Sequence, residues 1–327
     1  MSIRIGIIGA AEICYKAIIY PVSMTPDVQI AGIASSNYER ARLFSARYGI
    51  PTVYEDYQSV LDDKSIDAVY IPLANNLHCE WIVAAATHKK HILVEKPICL
   101  GSAEFQKIND VVRNNKVVLH EGIMTQSHPW QGYIREVVES KLYGRLLAID
   151  TRFSYELMSK IEPNSYRLFP LRGGGVFLDN SPYWIQFLQS CLNINLLNFD
   201  ASSQFSGPNG IDLKFHAQLY FEEGMHCSFY TSYEDPFEAL HTLTFENASL
   251  KVLNFFSPAF GHRLVVNISQ SGKFKKIVFD PMNYYCNQLN HFKRMIEKRE
   301  NPEEMTKILE RVELIEMLYQ FAKSRSI

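Results

Sequence analysis

Through the first 122 residues, short apolar runs alternate with longer stretches whose apolar positions recur at helical spacing. Ile3–Ile8, Val28–Ala34, Ala68–Ile71, His91–Val94 and Val117–His120 are short and rich in Ile, Val and Leu, the pattern of strands buried on both faces. Between them, periodic stretches around Ala11–Met24, Tyr38–Tyr48, Leu77–His88 and Ser102–Asn114 predict helices. Strand and helix alternating at this size predict an α/β unit, a Rossmann-like doubly wound parallel sheet. Right-handed crossovers then put the ligand crevice at the carboxyl ends of the strands.

From about residue 123 the pattern changes. Trp130–Lys141 reads as a helix, Arg145–Tyr155 as a long strand and Phe177–Leu192 as a further helix. Leu213–Phe221, Met225–Tyr233, Leu240–Phe245, Leu250–Phe255, Arg263–Ile268 and Phe274–Phe279 then follow with no long helix between them. Such a run predicts a large open, mostly antiparallel sheet in an α+β domain, with a turn at Gly207-Pro208-Asn209-Gly210. Helices near Tyr284–Lys298 and Pro302–Lys323 close the chain. At 327 residues the chain is too long for one ordinary core, and the change of pattern divides it into 1–122 and 123–327. A broad sheet packed on helices over one face leaves the other needing cover, so a homodimer or homotetramer through the C-terminal sheet is expected.

Composition narrows the class of partner. With 47% apolar and 21% charged residues and a net charge of −2, the chain is an ordinary globular one, with no charge block suited to nucleic acid or a membrane surface. Lys273-Phe274-Lys275-Lys276 alternates like a solvated edge strand. The six cysteines show neither Cys-x-x-Cys nor a spacing with histidine that would hold a metal, which predicts reduced thiols and no metal site. The first strand begins almost at once, without a signal-peptide cleavage site, and no apolar run reaches the roughly 20 residues of a membrane span, so a cytoplasmic protein is expected. His120, His216, His226, His241 and His262 are scattered and read as structural.

Three places carry candidate chemistry. Gly9-Ala10-Ala11-Glu12-Ile13-Cys14 follows the first strand and opens the first helix, the position of a dinucleotide phosphate turn, although only the first glycine of Gly-x-Gly-x-x-Gly is kept. At the end of the second strand, where folds selecting NAD place an acid for the ribose 2′-hydroxyl, the chain has Ser35, Ser36 and Arg40. Those groups could bind a 2′-phosphate, which favours NADP(H) and leaves NAD(H) possible; the competing reading is a serine N-cap before a helix with a surface arginine. The third place is Gly173-Gly174-Gly175 followed by Asp179 and Tyr183, read together with Lys96 of Val94-Glu95-Lys96-Pro97. On a helix Asp179 and Tyr183 share a face, a tyrosine hydroxyl beside an ammonium gives up its proton more readily, and the glycines let backbone approach a ligand. The bland alternative is a glycine turn before a core helix.

The chain resembles the glucose–fructose oxidoreductase / inositol dehydrogenase (Gfo/Idh/MocA) family over nearly its whole length. The resemblance is carried by Gly9–Cys14, by Ile71-Pro72-Leu73-Ala74-Asn75-Asn76-Leu77-His78, by Lys89-Lys90-His91-Ile92-Leu93-Val94-Glu95-Lys96-Pro97 and by Gly173–Tyr183. The second and fourth are most similar to the tyrosine-containing branch with glucose–fructose oxidoreductase, dimeric dihydrodiol dehydrogenase and sugar 3-ketoreductases. The resemblance implies a dinucleotide-binding domain at 1–122 and a substrate-binding and oligomerisation domain at 123–327. It places Gly9, Ala10, Ala11, Glu12, Ile13, Pro72, Asn75 and His78 along the cofactor, Glu95 at its ribose and Lys96 against the nicotinamide, with a Lys96–Pro97 bond that is often cis in the family. It makes Tyr183 the proton donor or acceptor with Asp179 beside the substrate, and puts His128 and Arg167 on substrate-facing loops. Ser181 departs from the family's glycine, as a substrate contact or a filler, and Pro182 falls in what reads as the first helical turn. The expected activity is NADP(H)-dependent hydride transfer to or from a carbonyl or secondary alcohol of a sugar-like substrate. The alternatives are trans-dihydrodiol oxidation and a non-catalytic NAD(P)-binding sensor.

Overall fold

The computed structural model describes residues 2–256, 262–299 and 302–326. The chain divides into two compact units, Met1–Met124 with Tyr284–Val312, and Thr125–Asn283 with Glu313–Ile327. In the first, β1 (Ile3–Ile8), β2 (Val28–Ala34), β3 (Ala68–Ile71), β4 (His91–Glu95) and β5 (Leu119–Gly122) form a parallel sheet in the order β2-β1-β3-β4-β5. Helices α1 (Tyr20–Met24, entered through a π-helical turn at Tyr15–Ile19), α2 (Tyr38–Tyr48), α3 (Tyr57–Asp62), α4 (His78–Thr87) and α5 (Ser102–Asn115) connect the strands. Val69, Ile71, Ile92, Val94 and Leu119 of the strands bury against Ile82, Phe105 and Ile108 of α4 and α5, which is why these strands read as continuous apolar runs. The sheet reverses its order between β1 and β3, so the loops after those two strands flank the crevice of an open α/β sheet.

The first unit also takes in α8 (Tyr284–Lys298) and the start of α9 (Pro302–Ser324), residues that a division at 122/123 assigns to the second. The reason is packing. Tyr284, Tyr285, Gln288, Leu289 and Phe292 make the buried face of α8, His291 lies edge-on to His120 with ring centres 5.1 Å apart, and Met305, Ile308 and Val312 join the first unit's core. The apolar stripe on α8 is therefore core.

In the second unit, α6 (Pro129–Glu139), β6 (Leu146–Ser154) and α7 (Val176–Cys191) precede β7 (Asn198–Ser202), β8 (Lys214–Tyr220), β9 (His226–Ser232), β10 (Glu238–Phe245), β11 (Ser249–Leu253), β12 (Leu264–Gln270) and β13 (Lys273–Phe279). The strands form an eight-stranded sheet in the order β13-β12-β11-β10-β6-β9-β8-β7. Every neighbouring pair is antiparallel except β6 with β9. Alternation along β8 buries Phe215, Ala217 and Leu219 and exposes Lys214, His216, Gln218 and Tyr220. The buried face stacks on α7, with Phe177 3.9 Å from Phe215 and Trp184 4.7 Å from Phe229 between ring centres. At the edge strand β13 the alternation gives way, and Lys273–Lys276 are all exposed. Among the described residues no helix is long and apolar enough to cross a membrane.

Candidate active site

Gly9 follows β1 with φ +120°, and a Cβ there would come within 2.8 Å of Leu73 Cδ2 and 3.6 Å of the Pro72 carbonyl. Glycine is required both by the backbone angle and by the close approach of the loop after β3. Around it Ala10 is buried, Ala11 and Ile13 are half-buried and Glu12 is exposed. Cys14, in the third place of the fingerprint, turns its sulfur 3.6 Å from the Gly9 carbonyl, and burial pushes the thiol up to about 12. It packs as a small apolar residue and is not a reactive thiol.

At the tip of β2, Ser35 is buried and its hydroxyl accepts from the Asn37 N–H at 3.3 Å, while the Ser36 N–H donates to the Tyr57 hydroxyl at 3.1 Å. The cap of α2 is Asn37, whose side chain accepts from the Arg40 N–H at 3.0 Å; neither serine caps the helix. Ser36 and Arg40 are exposed. The nearby carboxylate, Glu39, is turned onto Arg42 at 2.7 Å.

The chain around Lys96 is fixed on three sides. The Tyr70 hydroxyl donates to Glu95 Oε1 at 2.6 Å. The Lys96–Pro97 bond is cis, and His78 Nδ1 lies 2.8 Å from the Pro97 carbonyl. The Ile98 N–H donates to Glu121 Oε1 at 2.9 Å, and Glu121 is paired in the interior with Arg311, whose Nε lies 3.1 Å away. His78 also places Nε2 3.1 Å from the Leu73 carbonyl, and burial lowers the ring's basicity. With no exposed surface, His78 ties the loop after β3 to the loop after β4. Asn75, implied beside it, is buried as well.

In the second unit, Asp179 and Tyr183 stand one turn apart on α7, as the spacing required, and both are buried. The rings of Phe153 and Phe256 meet Tyr183 edge-on, 6.0 and 4.8 Å between centres. Pro182 lies in the second turn of α7, not the first, so the Leu178 carbonyl loses its helical donor between Asp179 and Tyr183. Three donors converge on Oδ2 of Asp179: the Tyr233 hydroxyl at 2.8 Å, Arg167 Nε at 3.0 Å and the Tyr155 hydroxyl at 3.1 Å. The charge of Asp179 raises Arg167 further above its usual range, and burial together with Asp179 raises both tyrosines.

The glycines before α7 admit protein. A Cβ on Gly174 would lie 2.5 Å from the Arg167 carbonyl, and one on Gly175 would lie 2.0 Å from Asp212 Oδ1. Gly175 donates its N–H to the Arg167 carbonyl at 3.0 Å. No side chain caps α7 from its own first turn; Asp212 does so from across the unit, taking the Val176 N–H on its carbonyl at 3.0 Å and the Phe177 N–H on Oδ2 at 2.7 Å. Asp212 is fully buried with Oδ1 lacking a partner among the described residues, and burial raises it to about 7 against three opposing backbone donors.

Two of the substrate candidates lie buried. His128 is buried as the cap of α6, its Nδ1 accepting from the Trp130 N–H at 3.2 Å and its ring pushed down to about 4 by desolvation. Ser181 has no exposed surface and fills a small-residue place inside α7. Arg167 is half-buried and spends Nε on Asp179, with its guanidinium 4.8 Å over the Tyr166 ring. Tyr155, Tyr233 and Asp212 escaped the sequence reading because each reaches the site from a strand end or loop distant in the chain. His241, fully buried, stacks between Phe187 and Phe255 as a core residue.

Comparison with known proteins places these features. The model of the oxidoreductase family with an NAD-binding Rossmann fold matches residues 3–123, and that of the GFO/IDH/MocA C-terminal domain matches 132–250. An uncharacterised oxidoreductase of Rhizobium meliloti is 31% identical over 70% of this chain and 68% of its own. The D-xylose 1-dehydrogenase (NADP(+)) 2 of Haloferax volcanii is 28% identical over 91% of this chain and 90% of its own. Among solved structures, a 3-ketoreductase from Actinomadura kijaniata in complex with NADP and TDP-benzene superposes with a TM-score of 0.89 at 23% identity, covering 98% of both chains.

Asp212 makes stability depend on pH. A folded-state value near 7 against the ordinary 3.8 means that between about pH 4 and 7 the folded chain keeps a proton the unfolded chain has released, so stability falls as pH rises through that window. Asp212→Asn keeps an acceptor for the Phe177 N–H and carries no charge. Its thermal stability should match wild type near pH 4 and exceed it by pH 8, by up to about 4 kcal/mol. A difference independent of pH, followed by thermal melts across the range, would count against this role.

Proposed function

Because the chain belongs to the GFO/IDH/MocA family of oxidoreductases, we propose that it moves a hydride between NADP(H) and a carbonyl or secondary alcohol of a sugar or sugar-like substrate. The reading rests chiefly on one observation, the triple fixation of the chain around Lys96 at the carboxyl end of β4, beside the switch point where an α/β sheet takes its ligand. A surface lysine needs no such framework, whereas a lysine that must meet a reacting oxygen does. The cofactor fits the residues present. The bare backbone at Gly9 after β1 would hold the pyrophosphate, and the tip of β2 offers the exposed Ser36 and Arg40 with Glu39 drawn away onto Arg42. Bound NADP(H) would supply or accept the hydride.

The chain's own residues manage charge and the proton. In the reducing direction Tyr183 gives its hydroxyl proton to the substrate oxygen, and the Lys96 ammonium offsets the negative charge that develops there; oxidation reverses both. A sugar-like substrate is supported by the similar proteins named for D-xylose and 3-keto-sugar chemistry. Self-association through the sheet's outer face belongs to the same proposal. Tyr220 and Leu253 are exposed apolar side chains on the outward positions of β8 and β11, strands whose other face is buried.

Tyr183→Phe should leave NADPH affinity and melting temperature near wild type while turnover falls by roughly 10²–10⁴. Lys96→Met should cost at least as much, and the double variant much less than the product of the two. A panel of aldoses, keto-sugars and dihydrodiols followed by NADPH absorbance provides the readout; Tyr183→Phe with near wild-type turnover would refute the assignment. Titration should show NADPH bound more tightly than NADH, with Ser36→Asp reversing the order by repelling the 2′-phosphate; tighter NADH binding to the unaltered protein overturns the preference. Light scattering at micromolar concentration should return a dimer or tetramer mass, and a monomer would exclude the sheet contact.

A further inference from the structure

Arg167 stands in the second unit at the point where the backbone and the ionic contacts of the α7 entrance coincide. Its carbonyl receives the Gly175 N–H, and Gly174 is bare beneath it. Its side chain returns to the same helix one turn further on and donates to Asp179 Oδ2. The Tyr155 hydroxyl, with one hydrogen to give, lies 3.1 Å from that oxygen and 3.2 Å from Asn180 Oδ1. The Tyr233 hydroxyl lies 2.8 Å from Asp179 Oδ2 and 3.3 Å from the Gly175 carbonyl. Four elements thus bring an arginine and two phenols to one oxygen of a side chain 5% exposed. Among the described contacts, the titratable groups around Asp179 are Arg167, Tyr155 and Tyr233, with Tyr166 under the guanidinium and Tyr183 one turn along α7.

We propose that Arg167 is a positioning residue that keeps Asp179 a fixed anion through turnover, so that Asp179 supplies charge beside Tyr183 and carries no proton of its own. An acid that exchanged its proton in each cycle would need one oxygen free to donate and a mild environment. Oδ2 instead lies within reach of three donors, one of them an arginine that can only donate, an arrangement that favours the carboxylate. The arginine cannot release its proton, so the pair stays charged across the working range of pH. Gly174 is explained by the same arrangement, since a side chain there would push the Arg167 backbone off the helix entrance. The inference rests on the oxidoreductase reading above, because it needs Asp179 to stand beside the reacting group.

The test compares kcat and KM from pH 5 to 10 for wild type, Arg167→Met, Arg167→Lys, Tyr233→Phe and Asp179→Asn, with NADPH and the best substrate of the panel. Arg167→Met should acquire an acidic limb whose inflection lies one to three pH units above any in the wild type, the usual effect of an arginine on a neighbouring carboxylate. Above pH 8.5 it should regain turnover to within about tenfold of wild type, with kcat carrying the change and KM moving less than threefold. Arg167→Lys should recover part of the loss at low pH. Tyr233→Phe, which leaves the backbone clamp intact, should show the same limb displaced less, and it decides the matter if Arg167→Met does not fold. An unchanged profile with a raised KM would make Arg167 a substrate ligand and overturn the proposal. A loss uniform across pH would overturn it in favour of a purely structural role. Asp179→Asn separates the two levels: near wild-type turnover in that variant sinks the role of Asp179 itself, whatever Arg167 does.

Discussion

The entrance of α7 has no cap of its own, and much of the second unit's chemistry follows from how that is remedied. Glycines at 173–175 leave the first N–H groups of the helix without a side chain nearby to accept them. Asp212 accepts two of those groups from a distant loop, and the Arg167 carbonyl accepts the one from Gly175. Each contact requires a bare α-carbon, since a Cβ at 174 or 175 would overlap the acceptor. The helix is thereby set from outside, and one of the groups that sets it, Arg167, also reaches Asp179. Its direction, and with it the face bearing Asp179 and Tyr183, depends on a few hydrogen bonds made over long sequence separations.

The first unit solves a related problem with backbone groups. Lys96 follows the last residue of β4, where the sheet's own hydrogen bonds end. Tyr70 from the neighbouring strand holds Glu95, His78 faces the Pro97 carbonyl, and Glu121 from β5 receives the Ile98 N–H. Glu121 is itself buried and would be costly alone; Arg311 from α9 supplies the balancing charge. A residue of the C-terminal helix is thus the far end of a chain of contacts leading to the loop of Lys96, which accounts for the grouping of 284–312 with the N-terminal strands.

Much of this fold was legible because burial writes itself into the period of the sequence. β2 and α2 fall on the expected residues, and the strands of both sheets lie within a few residues of them, since each had a face or two faces to bury. What escaped lacked such a signal. β7 reads Asn198-Phe199-Asp200-Ala201-Ser202, a polar edge strand, and α3 is a short helix whose inward face is Val60 and Leu61. The site divides in the same way. Lys96, Asp179 and Tyr183 are chemistry-bearing residues in conspicuous local motifs, and their types and spacings could be read directly. Tyr155, Tyr233, Asp212 and Arg311 act through contacts that only the folded chain creates. His78, His128 and Ser181 show the converse, polar residues near motifs that turn out to be occupied with the backbone or the core.

The Arg167–Asp179 pair makes sense as a device for orientation more than for stability. Burying an ion pair repays its desolvation poorly, and an apolar pair of similar volume often holds a fold at least as well. Tyr155 and Tyr233 add two more polar groups that must be satisfied in the interior, so the cluster as a whole is demanding. Its return is geometric. A guanidinium and two phenols fix one carboxylate oxygen from three directions, and that carboxylate stands one turn from the hydroxyl proposed to move the proton. A negative charge held still beside an acid biases where a positive partner and a polar substrate settle, without entering the proton's path. Division of labour between a fixed charge and a single mobile proton is the role proposed for the second unit's buried polar cluster.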